Sequence, residues 1–518
     1  MTEPGQAPRR LLARLRASGD ASRIAIGWTA LVVLALIMEY GSVRVCPKWG
    51  ICEKGPLFTG WTPLVITILL WAAGIGILAF FRAASRPAEL GMPARPRRLG
   101  NGIVWLFCAL SAVAVAHLFL LSPPIPRPFW AYPIRLSSHL GFPLNWDSPL
   151  FMDLALSPGR LLQPGSVSLP QNRPLYVWTT AALTWILAPL ARATGLEGLY
   201  GVAHPAFLPG IVLNWLILSL ALFLFWRLIS DLGGACARYS AFLCAIPFLA
   251  NDIVKAFVWT LHQQIFNLLV PVLGMWVCRS IFKGAPFSER TTLLVGLGLG
   301  VSSLAYESFV FILPAVALAL VLHARPTSVR EWWRQGLRVG SLGLGFALPH
   351  LSWMAVILMR TGAFHRAPFE TDRDFVWLID SLRVGPGEAA TRTFSYLVLF
   401  LRTTWAACGP LIALAVVLVF ARCTLGLPWS PASPIRGATQ RAAGCVLFSA
   451  LVLLFFMGQY LERYSFFLGP VLLVLCGLWL TEVMEMSRRV VRLATYGALA
   501  AADVLWLFFQ VAKYGPYS

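Results

Sequence analysis

The residues best suited to chemistry lie in the stretch 145–178, between strongly apolar segments. Its two carboxylates, Asp147 and Asp153, lie six residues apart. A carboxylate at a membrane surface can act as a general base on an acceptor hydroxyl. Burial raises the pKa of such a carboxylate and a nearby cation lowers it, so its pKa can be tuned. The alternative for both residues is a solvated loop acid. Asp153 also falls in the amphipathic run 150–156, where it would belong to the polar face.

A basic and aromatic motif ends the same stretch. Arg173-Pro174-Leu175-Tyr176 leads into the next apolar segment, and Trp178 follows. Proline is common at the first position of a helix, and Tyr and Trp are common at membrane interfaces. Each residue is therefore explained singly by an interfacial helix start. The order of an acid, an amphipathic run and then this motif favours a functional site.

The composition indicates a membrane protein. Of 518 residues, 58% are hydrophobic and 12% are charged, with a mean hydropathy of +0.72, whereas soluble domains carry about 25% charged residues. The apolar runs predict an all-α, polytopic integral membrane protein with about 13 transmembrane helices. The runs lie at about 24–40, 61–81, 103–121, 208–229, 237–250, 264–283, 292–305, 308–323, 339–359, 396–421, 443–458, 464–481 and 493–511. One broken helix is the alternative for the pair 292–305 and 308–323. The net charge of +20 comes from basic residues scattered over short loops. Membrane lipids, and no nucleic acid, are therefore the expected partners.

The distribution of basic residues predicts the topology. With a cytoplasmic N-terminus, and with 175–191 lying in the interface, the cytoplasmic loops hold nearly all of the net positive charge. If 175–191 crossed the membrane, the Arg-rich loops 323–338 and 482–492 would face outside. We therefore expect 122–207 to be the first large external loop, and the acid-bearing segments to meet on that external face.

The sequence predicts two parts. Residues 1–101 form an N-terminal transmembrane hairpin with a cytoplasmic tail, and 102–518 form the transmembrane core. Cys46 and Cys52 share the short loop of the hairpin and can form a disulfide if that loop faces an oxidising compartment. Arg and Ala are abundant while Lys is scarce, which is typical of a GC-rich bacterial genome, so we expect a bacterial inner membrane location.

The later external loops add further candidates, which are Asp252, His262, Glu307, Arg463 and Tyr464. An arginine such as Arg463 can hold a phosphate with two hydrogen bonds. An interfacial anchor is the alternative for Arg463, and a structural role is the alternative for His262.

The glycines Gly296, Gly298 and Gly300 form a run that could suggest a nucleotide-binding loop. They lie inside an apolar segment with no strand before it. Close helix packing is therefore the better interpretation.

The stretch 145–178 resembles the first external loop of the GT-C glycosyltransferases, which use polyprenyl-phosphate-linked sugars. The pattern is most similar to the branch of protein O-mannosyltransferases and lipid A aminoarabinose transferases. In that branch an acidic residue begins the loop, an amphipathic helix follows, and a basic-Pro-Pro-Leu-Tyr sequence precedes the next apolar segment. Asp147 matches the acid, and Arg173, Pro174, Leu175 and Tyr176 match the second motif.

Two later stretches, 296–323 and 462–470, resemble the helix-turn-helix and the late Arg-Tyr sequence of the same family. The chain also departs from the family. It has Asp147-Ser148 where Asp-Glu is usual, one proline where two are usual, and Tyr306-Glu307 in a turn that often holds lysine. These departures concern the subfamily more than the superfamily.

The resemblance implies a GT-C-like core with an interfacial external loop. It also implies transfer of a hexosyl or pentosyl group from a polyprenyl-phosphate donor to a glycan, lipid or protein acceptor on the extracytoplasmic face, as in cell-envelope glycan biosynthesis. Asp147 would then activate the acceptor hydroxyl, with Asp153 and Asp252 as alternative candidates for the base. Arg463, assisted by Arg173, would hold the lipid phosphate.

The remaining candidates would complete that site. Tyr176 and Trp178 would line the lipid or the sugar, while Glu307 and Asp252 would orient the acceptor or hold a divalent ion. No cofactor is required, although Mg or Mn would suit the oxygen ligands. Two other classes stay open: a transporter or flippase, and a lipid-linked polysaccharide ligase or polymerase built on the charged loop 360–395.

Overall fold

A computed structural model describes the following residues: 45–46, 50–51, 131–135, 141–145, 147–163, 171–193, 205–249, 251–258, 261–362, 376–427, 433–458 and 462–514. The predicted N-terminal hairpin, its candidate Cys46–Cys52 disulfide and the apolar runs 24–40, 61–81 and 103–121 lie largely or wholly outside these residues. The candidate site and the helices that carry it belong to one compact unit, which comprises 129–132 and 143–507.

The described residues are predominantly helical. Four short strands occur: β1 (Val45–Cys46) pairs with β2 (Gly50–Ile51), and β3 (Ala131–Arg135) pairs with β4 (Gly141–Asn145). The helices, numbered among the described residues, are α1 (Ser148–Leu156), α2 (Pro174–Ala193), α3 (Phe207–Ser230), α4 (Gly234–Leu249), α5 (Asp252–Phe257), α6 (Phe266–Phe282), α7 (Glu289–Ser303), α8 (Ile312–Ala324), α9 (Val329–Thr361), α10 (Trp377–Val384), α11 (Pro386–Thr424), α12 (Pro434–Met457), α13 (Glu462–Ser465), α14 (Gly469–Met486) and α15 (Arg489–Tyr514). Short 3-10 helices occur at Pro158–Leu162, Gln263–Ile265, Glu307–Phe311 and Phe466–Leu468.

Seven helical stretches in the described part of the chain are long and apolar enough to cross a membrane. These are Pro209–Ser230, Gln263–Phe282, Glu307–Ala324, Val329–Thr361, Pro386–Thr424, Pro434–Met457 and Phe466–Met486. Two shorter apolar helical stretches are Pro174–Leu187 and Cys236–Leu249. The chain is thus an all-α, multi-pass membrane protein. The larger count of about 13 transmembrane helices stays a prediction.

The most buried of these helices are α6 and α14, which form the centre of the bundle. By contrast, α9 exposes many large apolar side chains, among them Leu344, Leu351 and Met359. A water-soluble protein rarely exposes so much contiguous apolar surface. The outer side of α9 is therefore suited to contact with lipid.

Local sequence signals set the ends of α9. The Ser328 hydroxyl accepts the backbone N–H of Glu331, and the Glu331 carboxylate accepts the backbone N–H of Ser328, both at 3.3 Å. This reciprocal pair satisfies donors that the first turn of a helix leaves free. At the other end Gly362 adopts a positive φ of 75°, which a residue without a Cβ reaches easily.

Helices α7 and α9 run parallel and in close contact. Gly296 lies against Leu342, Gly300 lies against Phe346, and the Ser303 hydroxyl lies 2.5 Å from Nε2 of His350. A Cβ at Gly296 or Gly300 would collide with a backbone carbonyl oxygen of α9. The predicted packing role is confirmed for these two glycines. It is wrong for Gly298, which faces open space.

Helix α8 follows α7 as a distinct helix, so the segments 292–305 and 308–323 are two separate helices. They are joined by a turn at 304–306 and the 3-10 helix Glu307–Phe311. The charged segment 360–395 is also helical where it is described, over Trp377–Val384 and from Pro386 onward. The prediction of a loop over 360–395 is therefore wrong for these residues.

Charged residues gather at one end of the bundle, where α6, α11 and α14 end. Ion pairs at this end join Arg279 to Asp231 at 3.2 Å, Arg436 to Glu485 at 2.6 Å, and Arg422 to Glu482. Arg422 and Glu482 are both buried. Removing one member of a buried pair leaves the other charge unpaired in an apolar environment, so such pairs hold neighbouring helices in register.

The opposite end holds the starts of α2 and α3. The Leu175 N–H donates to the Leu304 carbonyl at 3.1 Å, and the Asn214 side chain donates to the Phe257 carbonyl at 2.9 Å. The starts of α2 and α3 therefore lie at the same end of the bundle. The interfacial placement of 175–191 stays a prediction.

Candidate functional site

Four chain segments converge at the end of the bundle where α2 begins. The Ser148 hydroxyl donates to the Leu261 carbonyl at 3.0 Å and so joins the start of α1 to the segment after α5. The Trp353 indole N–H donates to the Gln171 carbonyl at 2.6 Å and so joins α9 to the residues before α2. These bonds, with the Leu175–Leu304 bond, hold the acid-bearing segments together.

Asp147 lies immediately before α1, and its carboxylate contacts the ring of His262. Oδ2 of Asp147 is 3.4 Å from Nε2 of His262. The Asp147 side chain is 42% exposed and the His262 side chain only 4%. A half-exposed carboxylate is accessible to a substrate from solvent, while the buried ring contacts the carboxylate from the protein interior. We call Asp147 and His262 the acid–histidine pair.

Arg173 forms the second part of the site. Its two terminal nitrogens donate to Oε1 of Gln263 at 3.2 Å and to Oε1 of Glu307 at 2.8 Å. The guanidinium carbon also lies 5.3 Å from the centre of the Tyr306 ring. We call Arg173, Gln263, Tyr306 and Glu307 the arginine cluster.

The arginine cluster holds a buried cation. Arg173 is 6% exposed, and its Nε, like Nε2 of the fully buried Gln263, has no hydrogen-bond partner among the described residues. Burial lowers the pKa of Arg173. The Glu307 carboxylate and its hydrogen bond raise the pKa and, with the nearby tyrosine Tyr306, outweigh burial, so the net pKa lies above the ordinary value. The guanidinium is charged at every physiological pH.

The partners of Arg173 differ in their access to solvent. Gln263 and Tyr306 are buried, whereas the Glu307 side chain is 65% exposed. An exposed carboxylate is easily rehydrated if another anion replaces it at the arginine. The arginine cluster can therefore bind an external anion at modest cost.

The acid–histidine pair and the arginine cluster share one short segment. His262 and Gln263 are consecutive residues, so Asp147 and Arg173 contact neighbouring side chains of the same turn. One reaction site can therefore use a carboxylate base and a fixed cation together.

Tyr176 and Trp178 take different positions on α2. Tyr176 is buried, with its ring edge-on to Phe151 at 5.6 Å and its hydroxyl donating to Asn214 at 3.4 Å. Trp178 is 44% exposed and packs edge-on against Trp353 at 5.3 Å. Tyr176 thus fixes α2 against α1 and α3, and Trp178 lies on the outer face of α2.

The remaining predicted residues are not all brought into the site. Asp153 is exposed on α1, whose other side packs through Phe151 and Leu154, so it occupies the polar face of that helix. Tyr464 is half-buried in α13 and lies within electrostatic range of Arg173. Asp252 begins α5 and Arg463 lies in α13, but the side chains of both lie outside the part of the chain that the structure describes.

No group of three or more His, Cys, Asp or Glu side chains with metal-binding geometry occurs among the described residues. The Mg or Mn site therefore stays a prediction.

Several residues of the site could not be identified from sequence. Gln263 is an uncharged residue that carries no motif of its own, and Trp353 lies within an apolar helix. Ser148 and Tyr306 stood out only as departures from the family pattern. The adjacency of Gln263 to His262, and of Tyr306 to Glu307, offered a weak signal.

Comparison with models of known protein families finds no match to this chain. Comparison with curated protein sequences also finds none.

Proposed function

We propose that this chain is a membrane glycosyltransferase that moves a sugar from a polyprenyl-phosphate donor to an acceptor hydroxyl. The observation that carries the proposal is the pairing of a half-exposed carboxylate, Asp147, with a buried cation, Arg173, through consecutive residues. Such a transfer needs a base for the acceptor and a positive charge for the leaving phosphate. A GT-C-like arrangement of the transmembrane core is part of the same proposal.

In the proposed reaction Asp147 takes the proton of the acceptor hydroxyl. The acceptor oxygen then bonds to the anomeric carbon of the sugar while the bond from that carbon to the phosphate oxygen breaks. The lipid phosphate leaves with the bonding electron pair and gains one negative charge. Arg173 stabilises that charge, with Arg463 as a second candidate.

Glu307 would change partner during this cycle. It neutralises Arg173 when the site holds no donor, and the donor phosphate would compete with it for the guanidinium. Once released, the Glu307 carboxylate would be free to orient the acceptor or to hold a divalent ion. Tyr464 lies near the same guanidinium and would contact the phosphate or the sugar.

A lipid-linked donor suits the position of the site. The end of the bundle opposite to the site carries the ion pairs and the Arg-rich segments, as expected of a cytoplasmic end. The site would then face the extracytoplasmic side of a bacterial inner membrane, away from cytosolic nucleotide sugars. A donor that arrives within the membrane overcomes this separation.

The decisive test compares Asp147→Asn with the matched control Asp153→Asn. Both changes replace a carboxylate by an amide, but only Asp147 lies at the acid–histidine pair. In membranes supplied with a labelled polyprenyl-phosphate sugar, we expect Asp147→Asn to reduce transfer by about 10²- to 10⁴-fold. Asp153→Asn should keep transfer close to that of the wild type.

Equal transfer by both variants and by the wild type would remove Asp147 from the mechanism. A transporter or flippase, or a ligase built on 360–395, predicts no dependence on Asp147. Either would be favoured if lipid-linked substrate were moved or polymerised equally by Asp147→Asn and the wild type.

A further inference from the structure

The tautomer of the His262 ring follows from the contacts of its two nitrogens. Nδ1 of His262 accepts the backbone N–H of Gln264 at 3.2 Å, where the ring caps the 3-10 helix Gln263–Ile265. A ring nitrogen that accepts a hydrogen bond carries no proton. The proton of the neutral ring is therefore on Nε2, which is the nitrogen that faces Asp147.

The ring is also fixed in place. His262 is buried and packs against Phe257 with the ring centres 4.9 Å apart. The Ser148–Leu261 hydrogen bond holds the residues next to Asp147 and His262 at a constant separation. The 3.4 Å distance between Nε2 and Oδ2 is long for a hydrogen bond, and such contacts often shorten when substrate binds.

We infer that His262 is the positioning residue of Asp147, acting as a neutral ring that donates its Nε2–H to one carboxylate oxygen. This holds the half-exposed carboxylate in one orientation for the acceptor hydroxyl. The inference deepens the proposed function and rests on it where it concerns the reaction. His262 itself touches no reacting atom.

Other charged groups act on the pair from neighbouring elements. Arg173 and Glu307 lie on the far side of Gln263, and Tyr464 is near Arg173. Asp153 lies on the exposed face of α1. A test of the Asp147–His262 contact must therefore hold these groups constant, which single substitutions at 147, 153 and 262 do.

The first measurement needs no substrate. The full-length protein in detergent, with ¹⁵N-labelled histidine, is titrated by NMR, and the ring signals of His262 are identified by their loss in His262→Gln. We expect a neutral ring protonated at Nε2 near pH 7. In Asp147→Asn the pH midpoint for protonation of His262 should fall by about one unit, because an adjacent carboxylate favours the charged ring.

Asp153→Asn is the control and should leave that midpoint unchanged. An equal midpoint in the wild type and in Asp147→Asn would overturn the inference, as would a ring protonated at Nδ1. Because this readout does not depend on sugar transfer, it decides on the contact even if the proposed function fails.

The second measurement asks whether the contact serves the reaction. His262→Gln keeps a side-chain N–H donor, whereas His262→Phe keeps a ring beside Phe257 but has no donor. Loss of the donor destabilises the charged carboxylate and raises the pKa of Asp147. The acid limb of the kcat profile should therefore move to higher pH in His262→Phe only, with kcat about tenfold lower and KM little changed.

Similar losses in both variants, with no shift of the acid limb, would reduce His262 to a packing residue and contradict the inference. If the wild type transfers no sugar from any polyprenyl-phosphate donor, the proposed function fails, and the NMR coupling still decides whether His262 holds Asp147.

Discussion

At the scale of single residues, the environment distinguishes two acids that look alike in the sequence. Asp147 and Asp153 lie six residues apart, yet Asp147 contacts the buried ring of His262 while Asp153 is exposed on α1. Helix geometry explains the difference. Phe151 and Leu154 on α1 point inward, which turns Asp153 toward solvent.

Arg173 is the second residue whose surroundings determine its use. A buried guanidinium is costly unless it is paired, and here its partners are an amide, an aromatic face and an exposed carboxylate. The exposed partner is the one that a substrate anion can replace. Glu307 therefore occupies the place that we assign to the donor phosphate.

The competition between Glu307 and the donor can be measured with Glu307→Gln, which keeps the shape of the side chain but removes its charge. We expect the KM for the lipid donor to fall by up to about fivefold, since an exposed ion pair contributes about 1 kcal/mol or less. Arg173→Lys, which loses the planar donor fork, should raise the same KM. The measurement is initial-rate transfer at varied donor concentration.

A rise of KM in Glu307→Gln would contradict this prediction. It would mean that Glu307 positions Arg173 or the substrate rather than competing with the phosphate.

At the scale of elements, the parallel pair of α7 and α9 carries the turn that presents Tyr306 and Glu307. The contacts advance in step along both helices, from Gly296 to Ser303. Small residues allow the backbones to approach closely, which is how helices pack when lipid supplies no hydrophobic driving force. The position of the arginine cluster thus depends on glycines well outside it.

Gly300→Ala tests this packing against the control Gly298→Ala. The added methyl group at 300 meets the Phe346 carbonyl, while the one at 298 meets open space. We expect Gly300→Ala to destabilise the protein by about 1–3 kcal/mol. Gly298→Ala should be neutral or slightly stabilising, because alanine favours helix over glycine by about 1 kcal/mol.

The two glycine variants are compared by thermal unfolding in detergent. A similar Tm for both variants would show that α7 and α9 are not held together by this close approach.

At the scale of the whole molecule, the two ends of the bundle have different chemistry. One end carries the acid–histidine pair and the arginine cluster. The other carries the ion pairs of α6, α11, α12 and α14, together with exposed residues such as Arg330 and Arg334 at the start of α9. An excess of arginine at one end is typical of the cytoplasmic side of a membrane protein.

This polarity can be tested by labelling single cysteines from each side of the membrane. We expect an impermeant thiol reagent to reach Asp153→Cys from the extracytoplasmic side and Arg334→Cys from the cytoplasmic side. Both residues are exposed at opposite ends of the bundle. The natural Cys423 is exposed and is replaced by serine in both variants.

Sealed vesicles of each orientation provide the readout, and the Cys423→Ser chain without an added cysteine provides the background. Labelling of both new cysteines from the same side would overturn the assignment of the two ends.

The sequence by itself determined the membrane class, the position of each apolar helix that the structure describes, and Asp147 and Arg173 as candidate residues. Those properties are local, since hydropathy, helix capping and glycine spacing act within a few turns of chain. Only the tertiary structure decided which residues meet. Arg173 and Glu307 are 134 residues apart, and His262 reaches Asp147 from a different helix connection.

The same distinction explains what the sequence left open. The choice between Asp147 and Asp153, the tautomer of His262 and the role of Gln263 all depend on contacts made across the bundle. Burial and partner choice arise when helices pack, because packing removes water from some polar groups and leaves others exposed. A local sequence pattern can identify a carboxylate as a candidate, but only its neighbours in space determine its orientation and its charge.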